Sequence, residues 1–114
     1  MEDKKSTLLE RCVAQPAELS GLIDFAGDSI VSKTIIDKSV GTLTLFAFDK
    51  GQKLSEHTAP YDAIVQVIEG SADLTIGGKF KTVCSGQIII MPANVPHSVF
   101  AKEKFKMLLT MIRA

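Results

Sequence analysis

The chain has 114 residues, enough to bury one core and too few for two. Its 13 basic and 13 acidic side chains cancel, and no stretch is basic enough to follow a phosphate backbone, so nucleic acid is not an expected partner. The longest apolar run, Ile88 to Ala93, is far short of a membrane span, and the charged start MEDKKSTLLERC lacks the apolar centre of a signal peptide.

Leu8, Leu9 and Cys12 fall at helical spacing, and Pro16-Ala17-Glu18-Leu19 is placed to open a short helix at its first turn. From Ser29 the pattern changes to strands rich in β-branched and aromatic residues. Strands are expected at Ser29 to Asp37, Thr42 to Phe48, Ala63 to Glu69, Ala72 to Ile76, Phe80 to Val83, Ile88 to Met91, Ser98 to Ala101 and Phe105 to Ile112. Gly-rich turns punctuate them, and Gly77-Gly78 between two short runs signals a tight hairpin. Short strands at this spacing predict an all-β sandwich or barrel over residues 29–114, with residues 1–28 as an N-terminal extension. Cys12 and Cys84 are isolated, without CxxC spacing, which suits a reduced, soluble, cytoplasmic chain.

Two constellations carry the chemistry. The first sets His57, Ala59 and Ala63 between Gly51 and Gly70; the second sets Pro92, Asn94, His97 and Ala101 after Gly86. Their spacing resembles the two motifs of the cupin superfamily, G-x5-H-x-H-x3-4-E-x6-G and G-x5-P-x-G-x2-H-x3-N, over roughly Ser29 to the C-terminus. The resemblance implies a double-stranded β-helix, the jelly-roll barrel, of about eight strands. It also implies a homodimer, for which the N-terminal segment and the strand from Ser29 are the candidate contacts. His57 and His97 fall on two metal-ligand positions of that family. Ala59 stands where the family has its second histidine, Ala63 where it has glutamate, Asn94 where it has glycine, and Ala101 where it has asparagine.

Strand parity sets what surrounds the histidines. His57 and Ala59 share a face, and Ala63, Val65 and Val67 follow on it if the Pro60-Tyr61-Asp62 corner preserves parity. Glu56, Asp62 and Gln66 then face away, so no carboxylate stands in for the absent ligands unless a bulge re-registers the strand. His97 shares a face with Val99, and Met91 with Ile89. The expected ligand pocket is His57, Ala59, Tyr61, Ala63, Val65, Met91, His97 and Val99, two imidazoles in a mostly apolar wall with Tyr61 near the mouth. Met91, Met107 and Met111 are weighed as core filling, Cys84 as a buried structural thiol, and Phe100 as packing between strands or subunits. Asp49, Lys50, Lys53 and Glu56 read as a solvated loop.

Three function classes remain open. A cup that binds a small organic molecule is favoured by the apolar wall. A metal-dependent oxygenase or isomerase would use a divalent transition metal (Ni, Zn, Fe or Mn) on His57 and His97, completed by a third ligand or water. A metal-free isomerase would use one histidine as general acid or base, as in sugar-epimerising relatives of the family. Sequence names no catalytic residue among them.

Overall fold

The computed structural model describes residues 7–113. The charged residues 1–6, read above for leader character, lie outside the described residues.

The described chain opens with a short helix, α1 (Thr7–Cys12), and one 3-10 turn at Leu19–Gly21. Nine strands follow: β1 (Ile30–Lys38), β2 (Gly41–Phe48), β3 (Lys53–His57), β4 (Asp62–Glu69), β5 (Ser71–Ile76), β6 (Lys79–Cys84), β7 (Ile88–Met91), β8 (His97–Phe100) and β9 (Phe105–Ile112). They form two antiparallel sheets, a five-stranded one in the order β1-β2-β9-β4-β7 and a four-stranded one in the order β3-β8-β5-β6. The ends of the eight strands expected from sequence fall within one residue of those observed; β3 is the ninth and is not among them. Gly77 and Gly78 both take positive φ, 57° and 80°, as the two-residue turn between β5 and β6 requires.

The main core lies between the sheets. Val65 and Val67 of β4, Leu74 of β5, Val99 of β8 and Phe105 and Met107 of β9 are all buried there. Phe48 stacks on Phe105 with ring centroids 4.6 Å apart. Alternation therefore holds across the Pro60-Tyr61-Asp62 corner: Ala63, Val65 and Val67 point inward, while Asp62 and Gln66 are exposed.

A second, smaller core explains why β9 is apolar on both faces. Leu8, Leu22 and Ile23 of the N-terminal segment pack against Ile35, Leu45, Ala47 and Leu108 on the outer face of the five-stranded sheet. The segment acts as a strap over the sheet that carries it. Lys106 anchors it: the side chain is buried, and Nζ donates to the Ser20 carbonyl at 2.6 Å and lies 3.5 Å from Glu69 Oε1. Phe25 of the strap sits beneath both Lys104 and Lys106, 4.8 Å and 5.0 Å from its ring.

Three expectations are corrected. Lys53 to Glu56 belong to strand β3, not to a loop; β3 is a sheet edge on which Leu54 alone is half-buried, so its composition reads as solvated. Pro16 does not open a helix. Glu18 is extended, and a single 3-10 turn forms at Leu19–Gly21, because a segment this short between Pro16 and Gly21 cannot repay helix nucleation. Cys84 is exposed, since it closes edge strand β6 where Val83, not Cys84, has the inward parity.

Candidate functional site

The site forms where two crossovers connect the sheets at one end of the barrel. One leads from His57, the last residue of β3, to Ala63 at the start of β4; the other leads from Met91, the last of β7, to His97, the first of β8. The Asn94 N–H donates to the Ala59 carbonyl at 2.7 Å and ties the two crossovers together. Asn94 has φ 65°, the left-handed conformation asparagine tolerates where the motif has glycine. Asp62 Oδ1 accepts from the Ala93 N–H at 2.9 Å, so this carboxylate holds the crossover and faces away from the histidines.

His57 meets His97 because of a bulge. In the β3–β8 ladder Leu54 lies opposite Val99, yet His57, three positions later, lies opposite His97, two positions earlier. The extra residue at Ser55-Glu56 restores inward parity to His57, which a regular ladder would have turned outward. Glu56 itself remains exposed. The two rings stand edge to face with centroids 4.4 Å apart and planes at 68°. His97 is buried, whereas His57 is exposed at the rim.

Each ring is fixed by its own backbone. His57 Nδ1 lies 2.8 Å from the Ser55 carbonyl oxygen, and His97 Nδ1 lies 3.1 Å from that of Val95. A carbonyl only accepts, so each Nδ1 carries a proton. In the neutral ring Nε2 is then a bare lone pair. Neither Nε2 has a protein partner among the hydrogen bonds of the described residues.

Of the other expected pocket residues, Ala63 and Met91 are cross-strand partners and both are buried. Val65 and Val99 are also inward and buried, in the same core cluster as Ala63 and Met91. Ala59 is half-buried beside the rim. Tyr61 is half-buried on the side of β9, where the Arg113 guanidinium lies 5.9 Å from its ring. Sequence reasoning missed Leu54 and Ile76, inward neighbours on the histidine sheet, where Ile76 pairs with His97. Alternation in ADLTI would have found Ile76, but no local signal marks the bulge that aligns Leu54 with His57.

The divalent centre of the resembled family does not fit this donor set. Ala59 and Ala63 carry no donor atom, and the described residues gather no cluster of three or more His, Cys, Asp or Glu side chains. A groove of about 620 Å³ runs elsewhere, between strap residues Ala17 to Ser20 and the β4–β7 face.

The fold and its paired crossover motifs define a jelly-roll barrel with the two motif histidines at one end. The sequence profile described as a cupin domain matches residues 44–113. The chain belongs to the cupin family. A conserved protein of unknown function from Streptococcus pyogenes is similar at 35% identity over 89% of each chain, with a TM-score of 0.84. A cupin 2 conserved barrel domain protein from Leptotrichia buccalis shares 36% identity over 82% of this chain and 45% of its own, with a TM-score of 0.79. At 20% identity and a TM-score of 0.68, over 76% of this chain and 67% of the other, the polyketide cyclase RemF from Streptomyces resistomycificus shares the fold. No curated protein matches the chain.

Proposed function

We propose that this cupin domain binds a small molecule at the His57–His97 end of the barrel and has no strong site for a divalent metal. One observation carries this reading: the two imidazoles stand side by side with both Nδ1 atoms committed to backbone carbonyls. They present a pair of adjacent electron-pair donors in a wall otherwise made by Ala63, Met91, Leu54 and Ile76. Such a cup favours a compact, largely apolar guest that offers two neighbouring hydroxyl or N–H groups to the lone pairs. Backbone carbonyls orient both rings, but among the described residues no carboxylate faces them to stabilise an imidazolium during general acid–base work. The binding reading is therefore preferred to the metal-free isomerase.

Free Cys12 and Cys84 support placing the chain in a reducing compartment such as the cytoplasm. A homodimer is part of the proposal. Of the four edge strands, β7 alone carries no charged residue, and its Ile88 and Ile90 are exposed, so it can pair with its own copy without opposing like charges. It joins β1 and the N-terminal segment as a candidate contact. Ile88→Lys with Ile90→Lys should convert a dimer to monomer in sedimentation.

The test of the site is a thermal-shift screen of small hydroxylated and amide-bearing molecules, followed by titration of the best guest into His57→Ala and His97→Ala. Both variants should lose most of the affinity. A guest that binds both variants as tightly as the parent would place the site elsewhere. Stoichiometric zinc, nickel, manganese or iron(II) that survives dialysis would sink the claim that no strong divalent site exists.

A further inference from the structure

The two sheets end on the same side of the barrel in strands of opposite character. β6 closes the four-stranded sheet and β7 the five-stranded one, and only Ser85, Gly86 and Gln87 separate them in the chain. β7 carries no charge, and its Ile88 and Ile90 are 60% and 48% exposed on the outer face. As the last strand of its sheet it has one free side. The Val67 N–H donates to the Gln87 carbonyl, so alternation turns the backbone groups of Ile89 and Met91 toward β4. Those of Ile88 and Ile90 then point to the free side.

β6 presents lysines instead. Lys79 stands across from Ile76 and Lys81 across from Leu74, and both partners face the core, so the two lysines have inward parity. They are exposed at the edge, and neither forms an ion pair among the described residues. Between the edges runs a slot of about 430 Å³ whose lining includes Lys81, Val83, Ile88 and Ile89. Inward-pointing lysines ordinarily guard an edge against strand addition, and here they guard β6. They leave β7 open.

We infer that β7 is a docking edge for an extended acidic peptide of a partner protein, which joins the five-stranded sheet as a further strand. Main-chain bonds to Ile88 and Ile90 hold it, and alternate side chains, apolar ones, lie beside these isoleucines on the outer face. Carboxylates at the intervening positions point across the slot to Lys79 and Lys81. Facing sheets pack about 10 Å apart, a distance that a lysine and a glutamate side chain span from opposite sides. Charge selects this occupant over a second copy of the chain. A copy pairing β7 with β7 would bring Ile89 and Met91 to the inward side and leave both lysines without a counter-charge. The acidic strand therefore displaces a copy from this edge.

The probe is a fluorescein-labelled heptapeptide, Thr-Val-Glu-Val-Glu-Val-Thr, titrated into the full chain and followed by anisotropy. Thr-Val-Lys-Val-Lys-Val-Thr runs beside it, with the same apolar face and the opposite charge. The glutamate peptide should bind, more weakly as salt rises, and the lysine peptide should not. Lys79→Glu with Lys81→Glu should weaken the first by about tenfold or more and admit the second. Ile90→Pro removes only an outward N–H, which an edge strand tolerates, and should weaken the glutamate peptide while the fold stays. In β7, amide exchange should gain protection at Ile88 and Ile90. His57 and His97 take no part, so His57→Ala and His97→Ala should bind the peptide as the parent does.

Equal binding of the two peptides, or binding that leaves Ile88 and Ile90 unprotected, overturns the inference. So does failure of the glutamate peptide to bind. If in that event Ile88→Lys with Ile90→Lys still splits a dimer in sedimentation, the edge belongs to a second copy.

Discussion

His57 and His97 are direct partners in the β3–β8 ladder, and each ring is pinned through Nδ1 to a carbonyl two residues before it. The same local device is built twice, once after a bulge at a sheet edge and once after the Pro92–Pro96 crossover. The outcome is a matched pair of Nε2 lone pairs. Long-range proton–nitrogen correlation spectra at neutral pH should show both rings as the Nδ1–H tautomer. An Nε2–H tautomer at either ring would remove the electron-pair donor on which the proposed binding depends.

Lys106 ties the strap to the sheet from a position that sequence would assign to solvent. Its Nζ is bonded to the Ser20 carbonyl and paired with Glu69 across the β4–β9 ladder. Lys106→Met keeps the stem that packs on Phe25 and removes the charge. It leaves the Ser20 carbonyl without its donor, at a cost of about 1.5–3 kcal/mol. Chemical denaturation should show the loss, and hydrogen exchange should locate it first at Leu22 and Ile23. Loss of protection spread evenly over both sheets would mean the strap is not held separately by this contact.

The jelly-roll frame was legible in sequence because its signals are local. Gly77-Gly78 names its own turn, Asn94 tolerates the left-handed conformation of the glycine it replaces, and Ala63, Val65 and Val67 alternate cleanly. The places that escaped depend on tertiary context. Edge strand β3 buries little, so Lys53 to Glu56 resembles a loop although it pairs with β8. The Ser55-Glu56 bulge leaves no compositional mark, and parity counted back from His57 would put Leu54 on the wrong face. Cys84 was expected inside because free cysteines usually are; one residue of register at the end of β6 puts it outside. Half of the site's geometry thus follows from alternation, and the other half from a single inserted residue.

Gly70 is the motif glycine whose replacement is least tolerable. It turns β4 into β5 at φ 78°, and a Cβ there would lie 2.7 Å from the Lys104 carbonyl oxygen and 3.0 Å from Phe105 Cβ. Both obstacles belong to the chain entering β9, which is fixed by the Phe48–Phe105 stack. Gly70→Ala should cost about 1–3 kcal/mol from backbone strain alone, with the clash added. Equilibrium unfolding measures it; a variant as stable as the parent would show that β9 can shift away.

Asp49 gives the barrel an acid-sensitive fastening. Its carboxylate accepts the Asp28 N–H at 2.7 Å, closing the entry to β1 onto the end of β2, and Asp28 itself holds a left-handed φ of 54°. The Asp28 N–H foremost, then the Lys50 N–H and the Lys104 charge, hold the Asp49 carboxyl below its ordinary value of 3.8. A depressed folded-state pKa binds protons less readily than the unfolded chain does. The stability it contributes is therefore complete above 3.8 and is lost as pH falls below that value through the folded pKa. Asp49→Asn keeps the shape and cannot ionise. Melting temperatures of parent and variant should differ most near neutrality, with the parent higher, and should converge as pH drops below 3.8. A gap that stays constant across that range would mean the Asp28–Asp49 contact is geometric and carries no ionic component.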